Sequence, residues 1–179
     1  FTPQAATSGT VYYYFKAVYT PGAGSVYLGS ESGATEEPLK VNKRQLSIST
    51  LLYKYPDTTT PITSITYGDS ITDKATITGS VAGGVFLAPA GSVTFGVKPP
   101  AGSWSVYDTK AYAASVMSNK YDPTPAGSWT FNATIAGDAN YLGATSADEP
   151  LTVNKKQLEI STLLYKYPDT TTPITSITY

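Results

Sequence analysis

Apolar and polar residues alternate along most of this chain. Trp129, Phe131, Ala133 and Ile135 alternate with Ser128, Thr130, Asn132 and Thr134, the period-two signature of a strand with one buried face. Val93, Phe95 and Val97 follow the same pattern, and Ala75 and Ile77 follow it between Lys74, Thr76 and Thr78. Gly and Pro clusters at 79–84, 99–102 and 123–127 interrupt the alternation, and no stretch has helical periodicity. The pattern predicts an all-β fold with strands near 46–52, 71–79, 92–98, 104–112, 114–121, 128–136 and 148–154. Short strands with turns at this spacing imply two antiparallel sheets packed as a sandwich. The expected core contains Ile77, Val93, Phe95, Trp129, Phe131 and Ile135. Pro56, Pro61 and the threonines around them mark an edge or a crossing segment, since proline cannot donate to a ladder.

The chain also repeats itself. Gln45 to Tyr67 recurs 112 residues later as Gln157 to Tyr179, and the only difference is Ser47 against Glu159. Upstream, Pro38 to Lys43 parallels Pro150 to Lys155, Tyr27-Leu28-Gly29 parallels Tyr141-Leu142-Gly143, Phe15-Lys16-Ala17 parallels Phe131-Asn132-Ala133, and Phe1-Thr2-Pro3 parallels Tyr121-Asp122-Pro123. Fixed-period self-similarity marks arrays. The expected organisation is the closing part of one module (1–44), a complete module (45–156) and the opening segment of the next (157–179), at about 112 residues per repeat. A module of that size can enclose a core. The partial ones cannot, and are expected to borrow strands from other copies or neighbouring modules. Only Asn154-Lys155-Lys156-Gln157 separates Leu151-Thr152-Val153 from Leu158-Glu159-Ile160, so the joint is stiffer than a flexible linker.

Composition narrows the function classes. Charged residues are 14% of the chain, against roughly 25% in an average soluble protein, and Ser and Thr supply 45 of the 179 residues. With 12 Lys and Arg against 13 Asp and Glu, no basic field draws in phosphates, and nucleic acid is not an expected partner. Neither Cys nor His occurs, which removes thiolate and imidazole chemistry. The acids show no paired catalytic spacing, so no enzyme activity and no cofactor are expected. No apolar run approaches the ~20 residues of a membrane span. The hydroxyl-rich, weakly charged surface and the Asn132-Ala133-Thr134 sequon favour the cell exterior.

Tyr121-Asp122-Pro123-Thr124-Pro125-Ala126-Gly127-Ser128-Trp129-Thr130-Phe131, then Ala136-Gly137-Asp138-Ala139-Asn140-Tyr141-Leu142-Gly143 and Leu151-Thr152-Val153-Asn154-Lys155, resemble the closing half of the immunoglobulin-like repeats of large prokaryotic cell-surface proteins. Ser64 to Thr72 and Gly91 to Phe95 are similar to the opening half. The resemblance implies tandem immunoglobulin-like antiparallel β-sandwich modules, used in adhesins, stalks, surface layers and filaments, without catalysis. The first partial module departs from the pattern, because Thr20 to Val26 replaces the Gly-Asp-x-Asn turn.

Candidate sites are few. Asp138 and Asn140 are weak calcium candidates, being oxygen ligands on a turn; the competing reading is an Asx-stabilised hairpin turn. Asn132 is a glycosylation acceptor on an outward strand position. Thr58 to Pro61 and Thr170 to Pro173 are candidate O-glycosylated loops. Tyr12, Tyr14 and Val18 occupy the outward positions held by Ser128, Thr130 and Thr134 in the full module, and a strand apolar on both faces predicts an assembly contact. Tyr53-Lys54-Tyr55 and Tyr165-Lys166-Tyr167 either stack on sugars or serve packing.

These observations together predict a structural repeat segment of an extracellular filament, stalk or surface-layer protein, assembling end to end by strand complementation. An adhesin stalk or a glycan-binding repeat, with surface glycans as ligands, is the first alternative. An accessory module of a secreted enzyme is the second.

Overall fold

The computed structural model describes residues 1, 3, 6, 12–80 and 87–178. Val11, the first residue of a strand that the sequence predicts over 11–19, and positions 81–84 of an expected turn lie outside them. Among the described residues there is no helix. Five short strands come first: β1 (Tyr13–Phe15), β2 (Val18–Tyr19), β3 (Ser30–Glu31), β4 (Glu37–Leu39) and β5 (Arg44–Gln45). The longer ones follow, as β6 (Ser47–Lys54), β7 (Ser64–Thr66), β8 (Ile71–Thr78), β9 (Ser92–Lys98), β10 (Ser105–Ala111), β11 (Ser115–Met117) and β12 (Gly127–Ile135). The last are β13 (Tyr141–Leu142), β14 (Ala144–Thr145) and β15 (Glu149–Asn154).

Two sheets enclose the core. One has the order β11-β8-β6, and the other the order β10-β9-β12-β15-β7, with β14 also on β12. Alternation along β12 sends Trp129, Phe131, Ala133 and Ile135 inward, all buried. Val93, Phe95 and Val97 of β9 and Ala75 and Ile77 of β8 join them. All six expected core residues are buried. The Pro/Thr-rich stretch between β6 and β7 carries the chain from the first sheet to the second, so it is a crossing. There β7 runs parallel to β15, with Ser64, Ile65 and Thr66 opposite Thr152, Val153 and Asn154. Period-two reasoning did not find β7.

Two local devices shape the sheets. A register shift between Val106 and Asp108 sets Tyr107 apart from the β10–β9 ladder, as a bulge re-aims a side chain. Its ring packs against Phe95, Tyr121 and Phe131. The second device is a serine. The strand expected over 114–121 stops at Met117, because the Asp73 amide donates to Ser118 Oγ at 2.9 Å while the Ser118 amide donates to the Asp73 carbonyl at 2.8 Å. A hydroxyl has taken a carbonyl's place in the ladder. Ser146 does the same on β12: Ala133 N–H donates to Ser146 Oγ at 3.0 Å and Ser146 N–H to the Ala133 carbonyl at 2.9 Å. This separates β14 from β15.

The N-terminal strands repeat this arrangement in miniature. In β1 and β4, Phe15 lies opposite Glu37, Tyr14 opposite Pro38 and Tyr13 opposite Leu39. In β12 and β15, Phe131 lies opposite Glu149, Thr130 opposite Pro150 and Trp129 opposite Leu151. The pairs Val18 with Glu31 and Tyr19 with Ser30 likewise parallel Thr134 with Thr145 and Ile135 with Ala144. Even the serine recurs, as Ala17 N–H donates to Ser32 Oγ and Ser32 N–H to the Ala17 carbonyl, both at 3.0 Å. Phe1 meets Tyr13 and Phe15 edge-on as Tyr121 meets Trp129 and Phe131.

The face assignment has a direct test. Phe131→Ala removes a buried ring between the sheets and is expected to cost ~3–5 kcal/mol. Thr130→Ala, on the half-exposed face, is expected to cost less than ~1 kcal/mol. Equal losses in denaturant melts would show the face assignment to be wrong.

Candidate functional site

The place where the N-terminal hairpins meet the sandwich is built on the turn from Gly137 to Gly143. Asp138 organises it. One carboxylate oxygen accepts the amides of Asn140 at 2.7 Å and Tyr141 at 2.8 Å, and the other accepts the Ala90 amide at 2.7 Å. Burial alone would raise this carboxyl, but the Ala90, Asn140 and Tyr141 amides, with Lys43 nearby, outweigh it and hold it below its ordinary value. The Asn140 side-chain oxygen accepts the Ala6 amide at 3.0 Å. Both calcium candidates thus act here as acceptors of backbone amides, Asp138 in an Asx turn and Asn140 towards the distant Ala6. Among the described residues no group of three or more His, Cys, Asp or Glu side chains is placed to hold a metal ion.

This turn grips the segment that leads into the sandwich. The Arg44 amide donates to the Asn140 carbonyl at 2.9 Å, Gln45 Nε2 to the Gly143 carbonyl at 2.9 Å, and Lys43 Nζ to the Asp138 carbonyl at 2.5 Å. Tyr141 and Leu142 run parallel to Arg44 and Gln45. On the other side, a Cβ at Gly79 would lie 2.5 Å from the Gln45 carbonyl, and Gly79 has φ +87°, so only glycine fits. The lead-in is fixed from two sides.

The near-identical segments 45–66 and 157–178 sit in opposite surroundings. In the first, Leu46, Leu52, Tyr53 and Ile65 are 1%, 0%, 5% and 5% exposed; in the second, Leu158, Leu164, Tyr165 and Ile177 are 82%, 74%, 40% and 66% exposed. The first forms β6 and β7, whereas 157–164 forms no strand. Its sequence differs only at Glu159, an exposed position in the first copy; it lacks the covering that β8 and β15 give the first copy.

Tyr12, Tyr14 and Val18 lie on the N-terminal hairpins, with Tyr12 half-buried, Tyr14 and Val18 exposed, and the two tyrosine rings 6.2 Å apart. Tyr53 is buried and Tyr55 exposed, so they form no shared platform. Asn132 lies half-exposed opposite Gly96, in a groove of about 290 Å³ that Trp104, Val106, Thr94 and Thr134 also line. A Cβ at Gly96 would strike the Asn132 amide oxygen and come within 3.5 Å of the Trp104 ring. Trp104 was not singled out in the sequence, because it follows a Pro/Gly turn instead of standing in an alternating run.

One proximity among the acids is not visible in the sequence. Their spacing along the chain shows no pair, yet the fold brings Asp73 of β8 toward Glu149 of β15. Asp73 is wholly buried, and neither of its carboxylate oxygens has a hydrogen-bond partner. Burial, and then the charge of Glu149, pushes its carboxyl up to about 8. Glu149 uses one oxygen to accept the Leu52 amide at 2.9 Å. Tyr107 is partly buried, and burial followed by Asp73 raises its phenol. Alternation carried the signal, since Asp73 stands two residues before Ala75 on the inward register.

Comparison with family models, with curated proteins and with solved structures gives no match. Among the described residues no helix is long and apolar enough to cross a membrane.

Asp73 makes stability depend on pH with a definite sign. The folded chain retains a proton that an ordinary carboxyl, near 3.8, has released. The group's contribution is therefore full below pH ~4, falls by at most ~1.4 kcal/mol per pH unit as pH rises towards 8, and is flat above. Asp73→Asn is expected to abolish this slope and to melt above the parent at pH 8–9. The same slope in both proteins would contradict the assignment.

Proposed function

We propose that this chain is a structural repeat segment of an extracellular filament, stalk or surface-layer protein, built from immunoglobulin-like sandwich modules that join end to end. The observation that carries the reading is the recurrence of the β12–β15 hairpin in β1 and β4, register for register and serine for serine. Two closing hairpins of one design, with a gripped lead-in after the first, are the parts of an array. The strand order supports the immunoglobulin-like assignment, because the chain crosses between sheets after β6 and then runs β7 parallel to the last strand. The mechanism is mechanical. Each sandwich resists extension through its ladders, and the bonds to Lys43, Arg44 and Gln45 transmit orientation across the joint.

A second reading, a glycan-binding repeat, is favoured by the groove that sets the exposed Trp104 ring beside Thr94, Asn132 and Thr134. Few convergent polar groups beside an aromatic face is what a sugar site needs. Negative-stain electron microscopy of the chain over a concentration series separates the two readings. Ordered polymers with a constant axial repeat are expected, and isolated particles at every concentration would overturn the structural reading.

A further inference from the structure

We propose that residues 157–178 are an exchangeable opening segment, and that the surface they fit is the β8 face and β15 edge of a second copy of this chain. The inference rests on the modular reading above. The slot is defined by what β6 and β7 already make of it. Eight consecutive pairs join β6 to β8, three join β7 to β15, and Glu149 accepts the Leu52 amide. The Thr152 amide also donates to the Thr63 carbonyl, and the Tyr67 amide to the Asn154 carbonyl. Every residue facing that slot has an identical counterpart 112 positions on. The single difference, Glu159 for Ser47, falls on an exposed position of β6, where a charge stays in water.

The free copy is partly shaped for the role. Its bend between the two sheet positions is already formed. Ile174 N–H donates to the Leu164 carbonyl at 2.8 Å as Ile62 N–H donates to that of Leu52 at 2.9 Å, and Tyr165 bridges Pro173 as Tyr53 bridges Pro61. Asp169 accepts the Thr171 amide and hydroxyl as Asp57 accepts those of Thr59. Preformed geometry lowers the ordering cost of docking.

The segment cannot enter the sandwich that residues 45–156 of the same chain form. Leu46 bonds Leu142 near the Ile135 end of β12, whereas Asn154 follows Val153, which faces Gly127 at the other end. A nine-residue strand separates these points, about 26 Å at ~3.3 Å per residue. The four steps from Asn154 to Leu158 reach at most ~14 Å. Within residues 1–179 the slot that fits this segment is out of its own reach, so the partner proposed and tested is a second copy. There it displaces residues 45–66, so one exposed segment replaces another and the contacts nearly balance. Weakening the resident segment tips that balance.

The test uses the full chain. Leu52→Arg places a charge at a fully buried position of the resident strand and leaves Leu164 intact. Sedimentation velocity is expected to show mass rising with concentration to multiples of the monomer, with a cooperative melt. In the double variant, Leu52→Arg with Leu164→Arg, both the association and the melt are expected to be lost. Identical mass and melting of single and double variants at all concentrations would overturn the exchange. Ordered polymers of the parent chain seen alongside that result would leave the modular reading standing.

Discussion

Eight consecutive residue pairs, from Ser47 opposite Thr78 to Lys54 opposite Ile71, join β6 to β8. This ladder closes the smaller sheet and brings Leu52 over Trp129, Phe131 and Leu151. It also positions the Leu52 amide for Glu149 and starts the crossing that delivers β7 to β15. The second copy of the same residues shows what happens without it. There the backbone has no ladder to satisfy it and the leucines have no facing sheet, so the strand does not form. A strand's backbone groups are obligatory hydrogen-bonding groups, and its propensity is largely a statement about packing partners.

The sheets are punctuated by polar atoms that stand in for backbone. Ser118 and Ser146 each accept an amide and return their hydroxyl proton to the next carbonyl, at Asn119 and Ala147. Each ends a ladder without leaving a donor unsatisfied, and Ser32 accepts an amide in the same way in the N-terminal hairpin. Asp73 is the opposite case, a carboxyl in the core without hydrogen-bond partners for its oxygens. The cost of such a group falls when it holds its proton, so the same core is tighter in mild acid than in mild base. Asp138 has the contrary dependence, because its depressed carboxyl loses its three amide contacts only as pH falls through its own low pKa.

The sequence made the strands legible where one face is apolar. β9 was placed to the residue, and β8, β10, β12 and β15 to within a residue or so. The buried face followed from alternation alone. Three things were not legible. β7 is three residues long and held by a parallel partner almost ninety positions away, a contact that period two does not encode. The early end of β11 depends on a serine hydroxyl entering a ladder, and Ser is too common here for that to signal. Asp73 lay on the inward register but was hidden among polar neighbours. At the joint, the Asx turn was legible, while its grip on Lys43 to Gln45 needed the fold to bring the two segments together.

If partnering decides whether the opening segment is a strand, two stretches of one sequence in one molecule must differ in amide protection. Native-state hydrogen exchange on a dilute sample reads both at once. The amides of Ser49, Leu51 and Tyr53, which point to β8, are expected to exchange only through opening of the sandwich, and those of Ser161, Leu163 and Tyr165 at nearly the rate of an unfolded peptide. Matching protection in the two stretches would contradict the account.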